Sequence, residues 1–224
     1  MTHDVLQAPL LVLRDGLTRL ALAPSLGGAI ASWRRLRDGL PLLRGGGDAI
    51  ASDASPRTLA QYPLVPWSNR IGQGGYPTPQ GWQALAPNTS HDPYPIHGSA
   101  WQQAWEVVSH SERHAHLRLA CATPFAYVAE QHITLDEGCL DCRLVVTHHD
   151  HGYALAGRPT GCGLYLLYCP ADGDFFCFEP VSHPIDAHHL PGHPGLRWLT
   201  SGQQAALRWQ LRYRETPAHH TTGV

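Results

Sequence analysis

A chain of 224 residues with a formal net charge of −2 is long enough to bury one sizeable core. A single domain over residues 1–224 is the expectation, since all-β sandwiches and barrels of this length often stay undivided. The basic residues other than histidine are all arginines, scattered rather than clustered, so no nucleic-acid or anionic-membrane partner is expected. No apolar run approaches the roughly 18 residues that span a bilayer, and "MTHDVLQAPL" lacks a basic stretch leading into a long apolar one. The reading is a soluble, cytoplasmic protein whose six cysteines are reduced core thiols.

Twenty-two glycines and 19 prolines argue against long helices, and the apolar residues mostly alternate with period two. "LLVLRDGLTRLAL" sets Asp15 and Gly16 between two apolar runs, the strongest hairpin signal in the chain. "HLRLAC" turns Leu117, Leu119 and Cys121 to one side, and "LDCRLVVTH" does the same with Leu140, Cys142, Leu144 and Val146. "ALRWQLRYR" puts Leu207, Trp209, Leu211 and Tyr213 on one face and Arg208, Gln210, Arg212 and Arg214 on the other, as in a half-buried antiparallel strand. The fold is read as all-β. The Gly- and Pro-rich stretches "TLAQYPLVPWSNRIGQGGYPTPQGW" and "HHLPGHPGL" are read as loops, where binding chemistry usually sits on a β scaffold.

Four features invite chemistry. Cys139 and Cys142 form C-x-x-C, but three residues apart on a strand they point to opposite faces, so they are read as structural thiols. His114 with His116, and His149 with His151, share a strand face as metal ligands would. His116, however, also shares its face with Arg118, opposite the apolar stripe, so a solvated face is read there and no metal site is expected. "YPIHGSAWQQAW" offers His97 before Gly98, with Trp101 and Trp105 behind, a combination suited to a polyhydroxylated ring. In "DFFCFEPVSHPIDAHHLPG", Glu179 ends an apolar strand, Phe175 to Phe178, just before Pro180 forces an exit from pairing. A carboxylate held there and partly desolvated becomes a better base.

Taken together, and in this order, the early hairpin with "APSLGGAIASW", "NRI" before glycines, "IHG" leading to a Trp, "FEPVSHPIDAHHLPG" and a closing strand resemble the aldose 1-epimerase (galactose mutarotase) family. The resemblance covers the N-terminal two-thirds and the C-terminal quarter. It implies a large antiparallel β-sandwich of the galactose mutarotase-like supersandwich kind, shortened in the middle. It also implies cofactor-free interconversion of the anomers of a free hexose or related aldose. By the same resemblance Glu179 is the catalytic base, His97 the acid or polarising group, and Asn69, Arg70 and Trp101 bind the sugar. A guanidinium's fork of donors can hold ring hydroxyls in one pose.

The sequence departs from the family in one place. "VVTHHDHGYALAGRPTGCGLYLLYCP" runs almost directly to the strand before Glu179, without the His-Pro-aromatic segment that carries a second, acidic histidine. His183-Pro184 and His193-Pro194 come later, and neither is followed by an aromatic. Loss of a positioned acid typically costs about 10²- to 10⁴-fold in rate. A catalytically weak or inactive sugar-binding protein of the same fold is therefore the alternative expectation. The shortened middle would bare sheet edges, which a homodimer could cover.

Overall fold

The computed structural model describes residues 6–45, 47, 49–151, 154–157 and 163–215. Strands β1 (Leu11–Arg14), β2 (Thr18–Ala23), β3 (Ala29–Arg35) and β4 (Pro41–Leu43) form a four-stranded sheet in that order. A two-stranded ribbon follows, β5 (Gly75–Thr78) with β6 (Gly81–Ala84). Next come β7 (Glu106–His110), β8 (His114–Cys121), β9 (Tyr127–Asp136) and β10 (Cys139–His148). The short strands β11 (Ala154–Gly157), β12 (Leu164–Tyr168), β13 (Cys177–Val181) and β14 (Leu196–Leu199) precede the last strand, β15 (Gln204–Arg212). The second large sheet has the order β15-β10-β9-β8-β7, while β11 pairs with β14 and β12 with β13.

The two large sheets face each other as a sandwich. Leu13, Leu20, Leu22, Ile30 and Trp33 from the first pack with Leu117, Ala129, Ile133, Leu135 and Leu140 from the second. The alternation in "HLRLAC" and "ALRWQLRYR" holds: Leu117 and Leu119 are in the core, and Trp209, Leu211 and Tyr213 pack against it. In β10 the inward set is as expected: Leu140 and Cys142 are in the core, and Leu144 and Val146 pack against it. Its far end is covered on the other face too, where Val145 and Thr147 are buried. The outward residue Ala206 pairs with Val145 there, and β11 lies against β15.

Two expectations change. The Gly- and Pro-rich stretch after Arg70 is not all loop, because Gly75–Thr78 pairs with Gly81–Ala84. Glu179 does not end its strand either: β13 starts at Cys177 and runs through Pro180, which sits opposite Tyr165. Both strands of an isolated ribbon are edge strands, where proline is tolerated. Opposite residues share a face, so Tyr165, Leu167 and Phe178 form one side of this ribbon, and all three are exposed. Among the described residues no helix is long and apolar enough to cross a membrane. Cys121, Cys139, Cys142, Cys169 and Cys177 are free thiols. Within the stretch that departs from the family, residues 152–153 and 158–162 lie outside those described.

The predicted hairpin carries a polar lock. Asp15 Oδ1 accepts the N–H groups of Leu17 (2.8 Å) and Thr18 (2.6 Å), while Oδ2 accepts that of Gly138 (2.7 Å) in the β9–β10 turn. One side chain therefore ties the two sheets together. Burial alone would raise its pKa, but the donors of Gly138, Leu17 and Thr18 outweigh it and hold the carboxyl below its ordinary value. With the folded pKa depressed, its stabilisation is present above about pH 4 and is lost as the pH falls through the folded value. Asp15→Ala strands these buried donors and is expected to cost about 1–3 kcal/mol in urea unfolding at pH 7. A midpoint equal to that of the parent would refute the lock.

Candidate functional site

The loop before β5 and the loop before β7 are joined residue by residue. Val65 bridges Gly98, and Arg70 bridges Ile96. Between these bridges the Asn69 N–H donates to His97 Nδ1 (3.1 Å) and the His97 N–H donates to the Asn69 carbonyl (3.0 Å). Asn69, His97 and Gly98 all have left-handed backbones, with φ of 56°, 61° and 66°. A Cβ on Gly98 would stand 1.8 Å from the Val65 carbonyl oxygen, so only glycine fits beside His97.

The same loop is clamped from behind. Asn88 Nδ2 donates to the carbonyls of Ile96 and Gly98, and its Oδ1 accepts the Ile96 N–H, each at 2.8 Å. Trp101 Nε1 donates to the same two carbonyls, at 3.3 and 3.1 Å. Trp101 is therefore not the open stacking platform expected from the sequence. It is only 4% exposed, its N–H is spent on the loop, and Tyr62 and the Arg57 guanidinium pack on it.

The segment after β13 fastens to the loop before β5. Ser68 N–H donates to His183 Nε2 (3.3 Å), and Gly72 N–H donates to Asp186 Oδ1 (2.9 Å). Trp67, Ile71, Tyr76, Ala187 and Leu196 close a small apolar cluster around these bonds. The two stretches singled out in the sequence, "PWSNRIGQGGY" and "FEPVSHPIDAHHLPG", are thus partners, and the second carries Glu179 with it.

Charge and burial set the chemistry. Burial drives the His97 pKa down to about 4, helped by the cationic Arg57 and Arg70. The imidazole is neutral at pH 7, and because a backbone N–H occupies Nδ1, its proton sits on Nε2. Arg70 Nε donates to the buried Asp92 Oδ2 at 2.6 Å, which fixes the guanidinium while leaving it half-exposed. Tyr62 packs edge-on to His97 with ring centroids 6.1 Å apart. Burial raises the Tyr62 pKa, Arg57 lowers it, and the Glu179 and Cys177 charges raise it. Glu179 itself is half-buried, and burial raises its pKa. Its Oε2 is sealed from solvent and has no hydrogen-bond partner among the described residues.

Asn69, Arg70 and His97 are therefore in direct contact as a group, and Tyr62, which packs against His97, feels the charge of Glu179. Sequence reasoning missed Arg57, Tyr62, Asn88, Asp92, His183 and Asp186. Asp92 stands 22 residues from the Arg70 that it braces, so only the fold brings the two together.

A family model described as aldose 1-epimerase matches residues 9–156, which ends before Glu179. The curated Escherichia coli (strain K12) protein YphB, itself uncharacterised, is 38% identical over 77 residues, 34% of this chain and 25% of YphB. The chain thus matches about a quarter of that relative's length. Among solved structures, an E. coli K12 protein described as a candidate aldose 1-epimerase superposes with a TM-score of 0.75 at 20% identity, covering 91% of this chain and 98% of the other. The Slr1438 protein of Synechocystis sp. PCC 6803 gives 0.70 at 16%, covering 94% and 96%. A galactose mutarotase-related enzyme of Lactobacillus acidophilus gives 0.59 at 12%, covering 93% and 98%. At these identities the likeness is one of fold.

Burial also holds the His183 pKa at about 4. An unfolded chain protonates His97 and His183 below about pH 6.5, while the folded chain resists until about 4. The unfolded state thus binds more protons in this window, and stability falls as the pH is lowered. Between pH 7 and pH 5 each imidazole is expected to cost about 2 kcal/mol. Urea unfolding at the two pH values checks this, and His183→Gln should flatten the dependence by about half. An unchanged slope in that variant would count against burial as the cause.

Proposed function

Because the chain belongs to the aldose 1-epimerase family, we propose that it interconverts the α and β anomers of a free hexose or related aldose. The observation that carries this reading is a neutral His97 that offers Nε2–H beside Tyr62, a ring that feels the charge of Glu179, whose buried Oε2 has no hydrogen-bond partner among the described residues. Glu179 takes the proton of the anomeric hydroxyl while the bond from C1 to the ring oxygen breaks. The Nε2–H of His97 hydrogen-bonds that oxygen as it gains negative charge. With an imidazolium pKa of about 4, His97 is a polarising donor at neutral pH and not a store of protons. Water supplies the proton that the ring oxygen takes up. After rotation about C1–C2 the ring closes on the other face and the protons return. Arg70, braced by Asp92, and Asn69 hold hydroxyls of the sugar. Only protons move, so the reaction needs no cofactor, and the free thiols suit a reducing, cytoplasmic compartment.

A second reading, a sugar-binding protein with weak or no turnover, is favoured by one observation. The stretch joining β10 to β13 contains no His-Pro-aromatic, so no second imidazole comes from there in the family's manner.

Polarimetry of a freshly dissolved pure anomer separates the two. The enzyme reading expects equilibration above the spontaneous rate, reduced about 10²- to 10⁴-fold by Glu179→Gln. Arg70→Ala is expected to raise KM more than it lowers kcat. Calorimetric sugar binding without faster equilibration would select the second reading, and no binding to any free aldose would sink both.

A further inference from the structure

The outer face of the five-stranded sheet carries a second cluster of chemically able side chains, away from the Asn69–His97 loops. His116 on β8 lies directly opposite His132 on β9, and Arg118 on β8 lies opposite Glu130 on β9. The two imidazoles stack with centroids 4.2 Å apart, and His116 Nε2 stands 3.0 Å from Glu130 Oε1. One ligand atom from each of His116, Glu130 and His132 can be chosen so that all lie within 4.8 Å of one another. In the sequence only pairs within one strand suggested themselves, and His116 beside Arg118 read as a solvated face. The ligands that matter come from the neighbouring strand, which sequence spacing cannot reveal.

We propose that His116, Glu130 and His132 form a divalent transition-metal site, with Zn²⁺ as the ion that their donors suit. Two imidazoles and one carboxylate are a recurrent zinc set, and tetrahedral zinc at bond lengths of about 2.0–2.1 Å holds its ligands about 3.3 Å apart. The separations here, within 4.8 Å, are wider than that, so the side chains would rotate to close on the ion. The backbone beneath is rigid: Ala115, Leu117, Ala129 and Ile133 alternate with the ligands and are buried in the core. Such a frame limits the motion needed to close three ligands on one ion. Three protein ligands leave a fourth position for water. The ligands are only partly covered, with side-chain exposures of 18% for His116 and 29% for Glu130, so an ion can enter from solvent. Arg118, opposite Glu130, reaches toward Glu106, with NH1 3.9 Å from Oε2, while Arg143 on β10 lies opposite His132. The site stands whether or not the protein turns over a sugar.

Binding of Co²⁺ and Zn²⁺ to the full chain, freed of any affinity tag, tests the assignment. Titration calorimetry is expected to find one equivalent of Zn²⁺. The Co²⁺ complex should show ligand-field bands without a sulfur-to-metal charge-transfer band, which sets this site apart from the free thiols. Zn²⁺ in hundredfold excess over its Kd should raise the apparent unfolding midpoint. His116→Ala with His132→Ala should abolish the stoichiometric binding and the shift. Glu130→Gln, nearly isosteric and so the safer variant for folding, should weaken binding at least tenfold. His110→Ala, on the exposed β7, should leave both intact. Absence of stoichiometric binding to the parent, or binding that survives the double substitution, overturns the proposal and leaves a plain His–Glu hydrogen bond beside a stacked imidazole.

Discussion

Asn69 and His97 exchange two hydrogen bonds across 28 residues of chain, backbone N–H to imidazole one way and backbone N–H to carbonyl the other. Both residues are held in left-handed conformations that cost of order 1 kcal/mol or more each for a residue with a Cβ. Strain of that size persists only where the surroundings over-determine it. Here they do: Asn88 and Trp101 occupy the carbonyls of Ile96 and Gly98, and Gly98 approaches the Val65 carbonyl as only glycine can. The same bond that bends the loop decides the tautomer of His97. Position, orientation and protonation of the central imidazole thus follow from one pair of contacts.

Around that pair the site is assembled from three unrelated stretches of chain. Asp92 braces Arg70, Arg57 lies between Trp101 and His91, and the segment after β13 anchors itself to Ser68 and Gly72 through His183 and Asp186. Glu179 rides on this last anchor. Burial, with two cations close by, makes protonation of His97 costly, while burial makes the Glu179 carboxylate harder to ionise. The two groups are pushed in complementary directions, one toward a neutral donor and the other toward a stronger base. Separation of this kind lets a small site divide proton-handling roles at neutral pH.

The sheets beneath are conventional in their forces but uneven in their cover. The sandwich core is one continuous cluster, whereas the β12–β13 ribbon turns Tyr165, Leu167 and Phe178 outward. That ribbon also carries Glu179 on its other side, facing Leu166. The burial that raises the Glu179 pKa is therefore tied to a part of the fold with little apolar support of its own.

Alternation was enough to reveal the sandwich strands, because a strand with one buried face must repeat every two residues. Leu117 with Leu119 and Trp209 with Leu211 could be read that way. So could the Asp15–Gly16 turn, since its chemistry is local. The β5–β6 ribbon could not, as its glycines and proline resemble a loop until pairing gives them partners. The short motifs around Asn69, Arg70, His97 and Glu179 pointed to a sugar site and to a family, but not to its working parts. Which nitrogen of His97 bears the proton, that Trp101 supports the loop from behind, that Asp92 fixes Arg70, and that His116 meets His132 and Glu130 were decided by tertiary structure alone. Each depends on a contact between residues far apart or on neighbouring strands, and on burial, which exists only once the chain has folded.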